Sequence, residues 1–504
     1  MGVGSAADAF GFLAEGRWAD ARAGFEAALV DGETAEACFG LATALWWLGE
    51  SHACVERCTS AYALFRESGD VQGAARCAVW LAITYKSNFA NFAAASGWLA
   101  RAERLLEPLS PGSLHGWLWV ARAYRMTDLD ISEKLTARAL DAAEAAGDTD
   151  LQLVALGQLG HIRVGLGDAA GGFRFLDEAM AAALAGERST LDTVVYTCCD
   201  MLNACELADD LERAAQWCKV ADDFVARYGC PFLYAECRIY YGSVLTASGR
   251  WQDAERELFA GLRITAGACP GLHAKALTRL AALRIRQGRL EEADQLLARL
   301  GEGVDAEAEE ALAVAALLLA RGDAPGATRS LEHRLHRLEG HRSLLVAALD
   351  LLVDAQLAAQ DLNQAGATSA RLGALASAAS SERWRALATD AAGRVAMAAG
   401  EHAVAVELLD SARQAWTRLE LPFEAARTRA ELARLLADTE PEVAVDHARR
   451  ALATFEELGA ARDADRTVAL LRSLGVSART GDRGLGLLSR RERDVLRLLA
   501  LGLS

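Results

Sequence analysis

Apolar residues recur along most of the chain at three- and four-residue spacing, in helix-length stretches broken by Gly or Asp. The pattern is clearest where it repeats. Residues 16–29 read G-R-W-x-D-A and continue with Phe25, Ala28 and Leu29. Residues 249–262 read G-R-W-x-D-A and continue with Leu258, Phe259 and Leu262. Residues 288–297 read G-R-L-x-E-A and continue with Leu296 and Leu297. Each reads as the turn and second helix of a helical hairpin. The Gly makes the turn, the next apolar residue anchors it, and the small Ala lets two helices approach. No stretch alternates apolar and polar residues over a useful strand length.

Marking each turn gives a ladder: Gly16, Gly49, around Ser87, around Thr127, Gly167, Asp209, Gly249, Gly288, Gly322, Gln360, Gly400 and Asp438. The spacings run from 33 to 42 residues, the range of two-helix repeats. The repeat resembles the tetratricopeptide repeat, in which small and large positions interlock neighbouring hairpins. The expected fold is all-α: a tetratricopeptide-like α-solenoid of about twelve hairpins over residues 1–474. Its last helix, roughly residues 461–474, would cap the open end. Pro is rare, and Pro111, Pro231, Pro270, Pro422 and Pro441 fall near expected helix starts or loops. Residues 475–487, GVSARTGDRGLGL, are Gly-rich, polar and without period, as in a flexible linker.

Residues 488–504 read LSRRERDVLRLLALGLS. Ser489 and Glu492 have capping-box spacing, Val495, Leu496, Leu498 and Leu499 form an apolar stripe, and Gly502 is a helix stop. The pattern L-[ST]-x-R-E-x-x-V-L-x-L-L-A-x-G-L-S resembles the opening of a LuxR-type helix-turn-helix DNA-binding domain. The resemblance implies an expected DNA-binding start at Ser489, Arg490, Arg491, Glu492, Arg493 and Arg497. Arg491 and Glu492 would be ties within that domain, and Leu496 and Leu499 its core contacts. The recognition helix of such a domain would follow Ser504, so the domain is expected to be truncated here after its first helix. The plainer reading is an ordinary capped surface helix.

The rings are unevenly placed. Of 33 Phe, Trp and Tyr residues, only Trp384, Trp416, Phe423 and Phe455 lie beyond residue 264. Trp46 and Trp47 are adjacent, so on a helix they point about 100° apart and cannot share one neighbour. First helices of such hairpins line the concave side. Trp46, Trp47, Trp80, Trp117 and Trp119 are therefore the candidate groove for a ligand or protein partner. The competing reading is larger apolar packing in the N-terminal half.

Composition narrows the classes. With 52% apolar and 24% charged residues the chain is globular. Net charge is −16, but residues 471–504 hold seven Arg against three acids, so the body is acidic and the tail basic. The eleven Cys form no C-x-x-C pair and read as small buried hydrophobes of a reducing compartment. No metal site is expected; His333, His336 and His341, beside Arg334, Arg337 and Arg342, read as a solvated basic face. No signal peptide, membrane span, phosphate loop, H-E-x-x-H, G-x-S-x-G or dinucleotide fingerprint is found. The expectation is therefore a cytoplasmic, non-enzymatic transcriptional regulator without cofactor. Its repeat domain would sense a small molecule or protein partner, and its partners would be that effector and DNA, with no membrane and with room for a homodimer. The alternative is a protein-interaction scaffold of tetratricopeptide type.

Overall fold

The computed structural model describes residues 6–30, 32–300 and 308–476. Among these residues every regular element is a helix, twenty-five in all. They pair into twelve hairpins and one closing helix. The first helices of the hairpins are α1 (Ala6–Glu15), α3 (Ala35–Trp47), α5 (Val71–Ser87), α7 (Ser113–Ala123), α9 (Thr149–Gly165) and α11 (Asp192–Ala208). They continue with α13 (Pro231–Ala247), α15 (Pro270–Gln287), α17 (Ala308–Arg321), α19 (Arg342–Ala358), α21 (Glu382–Ala398) and α23 (Pro422–Leu435). The second helices are α2 (Trp18–Val30), α4 (Ser51–Ser68), α6 (Phe92–Leu106), α8 (Leu129–Ala146), α10 (Ala169–Ala185) and α12 (Leu211–Tyr228). They continue with α14 (Trp251–Thr265), α16 (Leu290–Ala298), α18 (Ala324–Leu338), α20 (Leu362–Ser377), α22 (His402–Arg418) and α24 (Pro441–Leu458). Helix α25 (Ala461–Ser473) closes the stack. The fold is a tetratricopeptide-like α-solenoid. No helix of the described residues is long and apolar enough to cross a membrane. Ser489, Arg490, Arg491, Glu492, Arg493 and Arg497, with the rest of residues 477–504, lie outside the described residues.

Local chemistry explains the hairpins. Asp128, Asp168, Asp210, Asp323 and Asp361 cap five second helices, each carboxylate accepting from the backbone N–H three residues on. Small residues then admit large ones. Ala21, Ala254 and Ala293, the Ala of the repeated pattern, are fully buried. A Cβ on Gly242 would lie 2.7 Å from Leu258, and one on Gly393 2.8 Å from Leu409. Those two hairpins close around Leu only because the first helix lacks a side chain there.

The solenoid winds tightly enough to touch itself. The turns of the first eight hairpins each meet the start of a first helix, or of α25, five or six hairpins later. Trp18 of α2 donates from Nε1 to the Tyr228 carbonyl and stacks on Trp47, with ring centroids 4.2 Å apart. Trp47 in turn donates to Asp192 at the start of α11, 2.8 Å away. Gly49 packs on Pro231. The Gly271 N–H donates to the Asn88 carbonyl at 3.0 Å, and the Leu129 N–H to the Gly340 carbonyl at 2.8 Å. Arg342 bonds Asp130, Ser380 bonds the Gly167 carbonyl, and Arg383 pairs with Asp209. Gly249 has φ +82°, and a Cβ there would lie 2.7 Å from Pro422, so both its backbone and its neighbour exclude a side chain. Gly288 packs on Arg462.

The inner wall changes character along the coil. In the C-terminal half it is filled by ion pairs. Buried Arg394 of α21 pairs with Asp350 and Asp354 of α19 and, at 2.9 Å, with Asp390 of its own helix. Arg427 of α23 adds a bond to Asp354 at 3.1 Å, and Thr428 one to Asp390 at 2.6 Å. In the N-terminal half the wall is aromatic and encloses a cavity.

Candidate functional site: a cavity inside the coil

The cavity has a volume of about 480 Å³. It is lined by the first helices α3 to α19, together with the turn after α7, the starts of α6 and α8 and the end of α18. Two helices supply its most organised wall. On α11, Asp192, Tyr196 and Asp200 follow one another at four-residue spacing, so they share one face. On α13, Phe232, Glu236 and Tyr240 do the same. Trp46 of α3 meets Phe232 with centroids 5.7 Å apart. Acid and ring thus alternate along both helices.

The polar groups are tied to one another across helices. Tyr124 donates to Asp200 Oδ2 at 2.7 Å. His161 Nδ1 of α9 lies 3.6 Å from Asp200 Oδ1. Lys86 of α5 sits over the Tyr124 ring, 5.7 Å from its centroid. Lys275 Nζ of α15 donates to Tyr240 Oη at 3.3 Å. Behind Tyr240, Arg279 bonds both Glu206 oxygens, at 2.7 and 2.6 Å, and Glu309 at 3.0 Å. Gln158 accepts from Thr136 and donates to the Val120 carbonyl, so its amide is fixed.

Burial sets the protonation states. Asp200 and Glu236 are 3% and 7% exposed. Burial pushes Asp200 up to about 7, against the Tyr124 hydrogen bond and the Lys86 charge, which pull it down. Burial likewise pushes Asp192 up to about 6, although its bond from Trp47 opposes this. Glu236 is raised by burial, with Lys275 and Lys86 opposing. His161 falls to about 3 through burial, with His341, Lys86 and Lys275 adding to the effect. Tyr124, Tyr196 and Tyr240 are raised by burial. Cys199, on the cavity wall, is also raised by burial and then by Glu236, so it faces the cavity as a thiol and not as a nucleophilic thiolate. Among the described residues no group of three His, Cys, Asp or Glu could hold a metal. The arrangement can clasp a partly apolar guest and offer it rings, hydrogen bonds and ionisable groups.

Of the Trp residues singled out from sequence, the structure brings Trp46 and Trp80 to the cavity. Trp47 is 1% exposed, held between Trp18 and Asp192, and belongs to the packing between coils. Trp117 packs 6.3 Å from Tyr196 and donates to Asp148 at 3.2 Å, off the cavity. Trp119 lies under the Arg138 guanidinium, 4.2 Å away, also off the cavity. His341, read with His333 and His336 as part of a solvated face, lines the cavity, whereas those two are exposed. Sequence reasoning missed Tyr124, Tyr196, Asp200, Glu236 and Lys275. The acid–ring alternation on α11 and α13 was the signal that could have found most of them.

No protein-family model matches the chain, and no curated protein does. Among solved structures, it is similar to a chain of the APC/C hetero-tetramer Cut9–Hcn1, with 14% identity and TM-score 0.41, over 91% of this chain and 95% of that one. It is also similar to yeast Tom70, with 11% identity and TM-score 0.38, over 87% of this chain and 97% of that one.

The raised Asp200 gives a stability test. A folded-state value near 7 against 3.8 means that the fold binds more protons than the unfolded chain between those values. Stability from this group is therefore full below about pH 4 and is lost as pH rises through about 7. Asp200→Asn removes that dependence and keeps an acceptor for Tyr124. Its thermal midpoint should rise relative to the parent between about pH 4 and about pH 8, with a ceiling of about 4 kcal/mol. A parent–variant difference that does not change with pH contradicts the assigned protonation.

Proposed function

We propose that this chain is a non-enzymatic binding protein that takes a small molecule, or a short segment of a protein partner, into the cavity of its coil. The observation that carries this reading is the cavity of about 480 Å³ with its ordered wall of rings and hydrogen-bonding groups. A volume of that size is typical of ligand sites. The thiol state of Cys199 and the low proton affinity of the His161 imidazole favour binding over catalysis by a thiolate or an imidazole base. The proposed setting is the cytoplasm, consistent with eleven free cysteines of which ten are buried.

A second reading rests on residues 488–504, whose pattern resembles a LuxR-type helix-turn-helix opening. In this reading the coil is the sensing part of a DNA-binding regulator, and occupation of the cavity alters how a complete C-terminal domain is presented. The two readings share the cavity and differ in the output.

The cavity is tested with Nile red, a neutral dye whose emission shifts blue in apolar surroundings. One dye per chain should bind. Asn203 of α11 also lines the cavity, and Asn203→Trp, which places a ring there, should weaken binding by about tenfold or more, a difference of about 1.4 kcal/mol. Trp119→Ala, off the cavity, should leave it unchanged. Equal binding by all three proteins would remove the cavity as the site.

The regulator reading is tested on DNA. Residues 1–504 should bind duplexes weakly and without sequence preference. Neutralisation of up to four phosphates by Arg490, Arg491, Arg493 and Arg497 predicts a loss of up to about 100-fold between about 50 and 200 mM salt. A chain carrying all helices of such a domain should select one duplex sequence, since the recognition helix reads bases. Absence of any sequence preference in that longer chain favours the scaffold.

A further inference from the structure

We propose that closure of the coil and occupation of the cavity are one linked equilibrium: a guest holds the seam of the N-terminal half closed, and an opened seam gives up the guest. This rests on the reading of the cavity as a binding site and names how binding there acts on the rest of the chain.

Seam and cavity wall share residues. Asp192 accepts from Trp47 Nε1 at 2.8 Å in the seam and also lines the cavity. Trp46, next in sequence to Trp47, has its ring 5.5 Å from that of Trp47 and lines the cavity beside Phe232 of α13. Asn88 and Gly271 are joined by the 3.0 Å backbone bond between the turn after α5 and the start of α15, and both line the cavity. Asn88 is buried, and its amide donates to Ser51 Oγ at 3.0 Å, so that corner is fixed. A Cβ on Gly271 would lie 3.1 Å from the Ser87 carbonyl oxygen, so α15 starts hard against the turn. Leu129, whose N–H bonds the Gly340 carbonyl at 2.8 Å, lines the cavity, as do Leu338 and His341 on either side of Gly340.

The two sides of the wall come from distant parts of the chain. Trp46, Trp80 and Asn88 belong to the second and third hairpins; Asp192, Phe232 and Gly271 belong to the sixth, seventh and eighth. Stacking in order sets each hairpin against the next, and the seam sets the early hairpins against the late ones. If the seam parts, each side keeps its own side chains, but a guest that touched both keeps only one set of contacts. The closed coil therefore binds the guest more tightly than the open one, and a ligand shifts an equilibrium by its difference in affinity for the two states. The effect is reciprocal, so a seam that is loosened must weaken binding. Asp192, Asp200 and Glu236 share the space with Lys86 and Lys275, and the linkage follows from where these residues stand in the chain, not from the sign of a guest's charge.

The test combines Nile red with residue-resolved amide exchange. Trp18 stacks in the seam and does not line the cavity, so Trp18→Ala loosens closure without touching the guest. Its affinity for the dye should fall about fivefold or more, as when about one coil in five stays closed, and its Gly271 amide should exchange faster than in the parent. In both proteins, free dye at about ten times its Kd should slow exchange at Gly271 and Leu129 by about tenfold, since the open coil does not hold it. Trp18→Phe, which keeps a ring but loses the bond to the Tyr228 carbonyl, is read if Trp18→Ala fails to fold. The proposal is overturned if the seam variant binds the dye as tightly as the parent, or if bound dye leaves exchange at both amides unchanged. Either result, with dye bound by the parent, leaves the binding reading standing without its link to closure; no dye bound by the parent removes both.

Discussion

Eight hairpin turns rest on helix starts five or six hairpins further along, and the closed coil depends on those contacts. Their magnitudes differ. The first N–H groups of a helix have no partner within it. Gly271 near the start of α15 and Leu129 at the start of α8 find theirs on Asn88 and Gly340 of another coil turn. A bond of that kind contributes about 1 kcal/mol net, since water would otherwise take its place. The Trp18–Trp47 stack removes two large apolar rings from water, on the order of several kcal/mol. The aromatic stack therefore dominates the N-terminal seam, and the backbone bonds set its register.

Closure has a consequence for the inner wall. Where nothing fills the coil, side chains of first helices face one another across it. In the C-terminal half Arg394 and Arg427 meet three aspartates there, and the space is consumed by charge pairs. In the N-terminal half the facing groups are rings interleaved with acids and with Lys86 and Lys275, and a cavity remains. The skew of aromatic residues toward the N-terminal half thus serves two purposes. Trp18 and Trp47 build the seam; Trp46, Tyr124, Tyr196 and Phe232 line the space that the seam encloses. The 100° between Trp46 and Trp47 divides the two roles between neighbouring residues.

The hairpins were legible because their signals are local. A Gly or Asp turn, an Asp cap and a small residue three or four positions on lie within a dozen residues of one another. Even the turns without Gly follow this logic, with Asp209 and Gln360 taking positive φ. The seam was not legible. Trp18 and Tyr228 stand 210 residues apart, and nothing in either neighbourhood names the other. The cavity inherits that difficulty, since it is assembled from nine first helices only after the coil closes. Trp117 and Trp119 illustrate the limit: aromatic residues on a first helix read as groove-facing, yet one bonds Asp148 and the other lies beneath Arg138. Tyr196 and Asp200 carried a readable period, but period alone does not separate a cavity wall from a packed face.

The account stands on closure of the coil, and amide hydrogen exchange at Leu129 and Gly271 tests it most directly. Both N–H groups lie in the first turn of a helix, where an open solenoid would leave them to water. In the closed coil each is bonded to a carbonyl more than one hundred and eighty residues away in sequence. Residue-resolved exchange should therefore show Leu129 and Gly271 protected to the same degree as amides in the middle of α8 and α15. Exchange at the rate of free amides, with those helix interiors still protected, would show a coil that is open, and the cavity inside it would go with it.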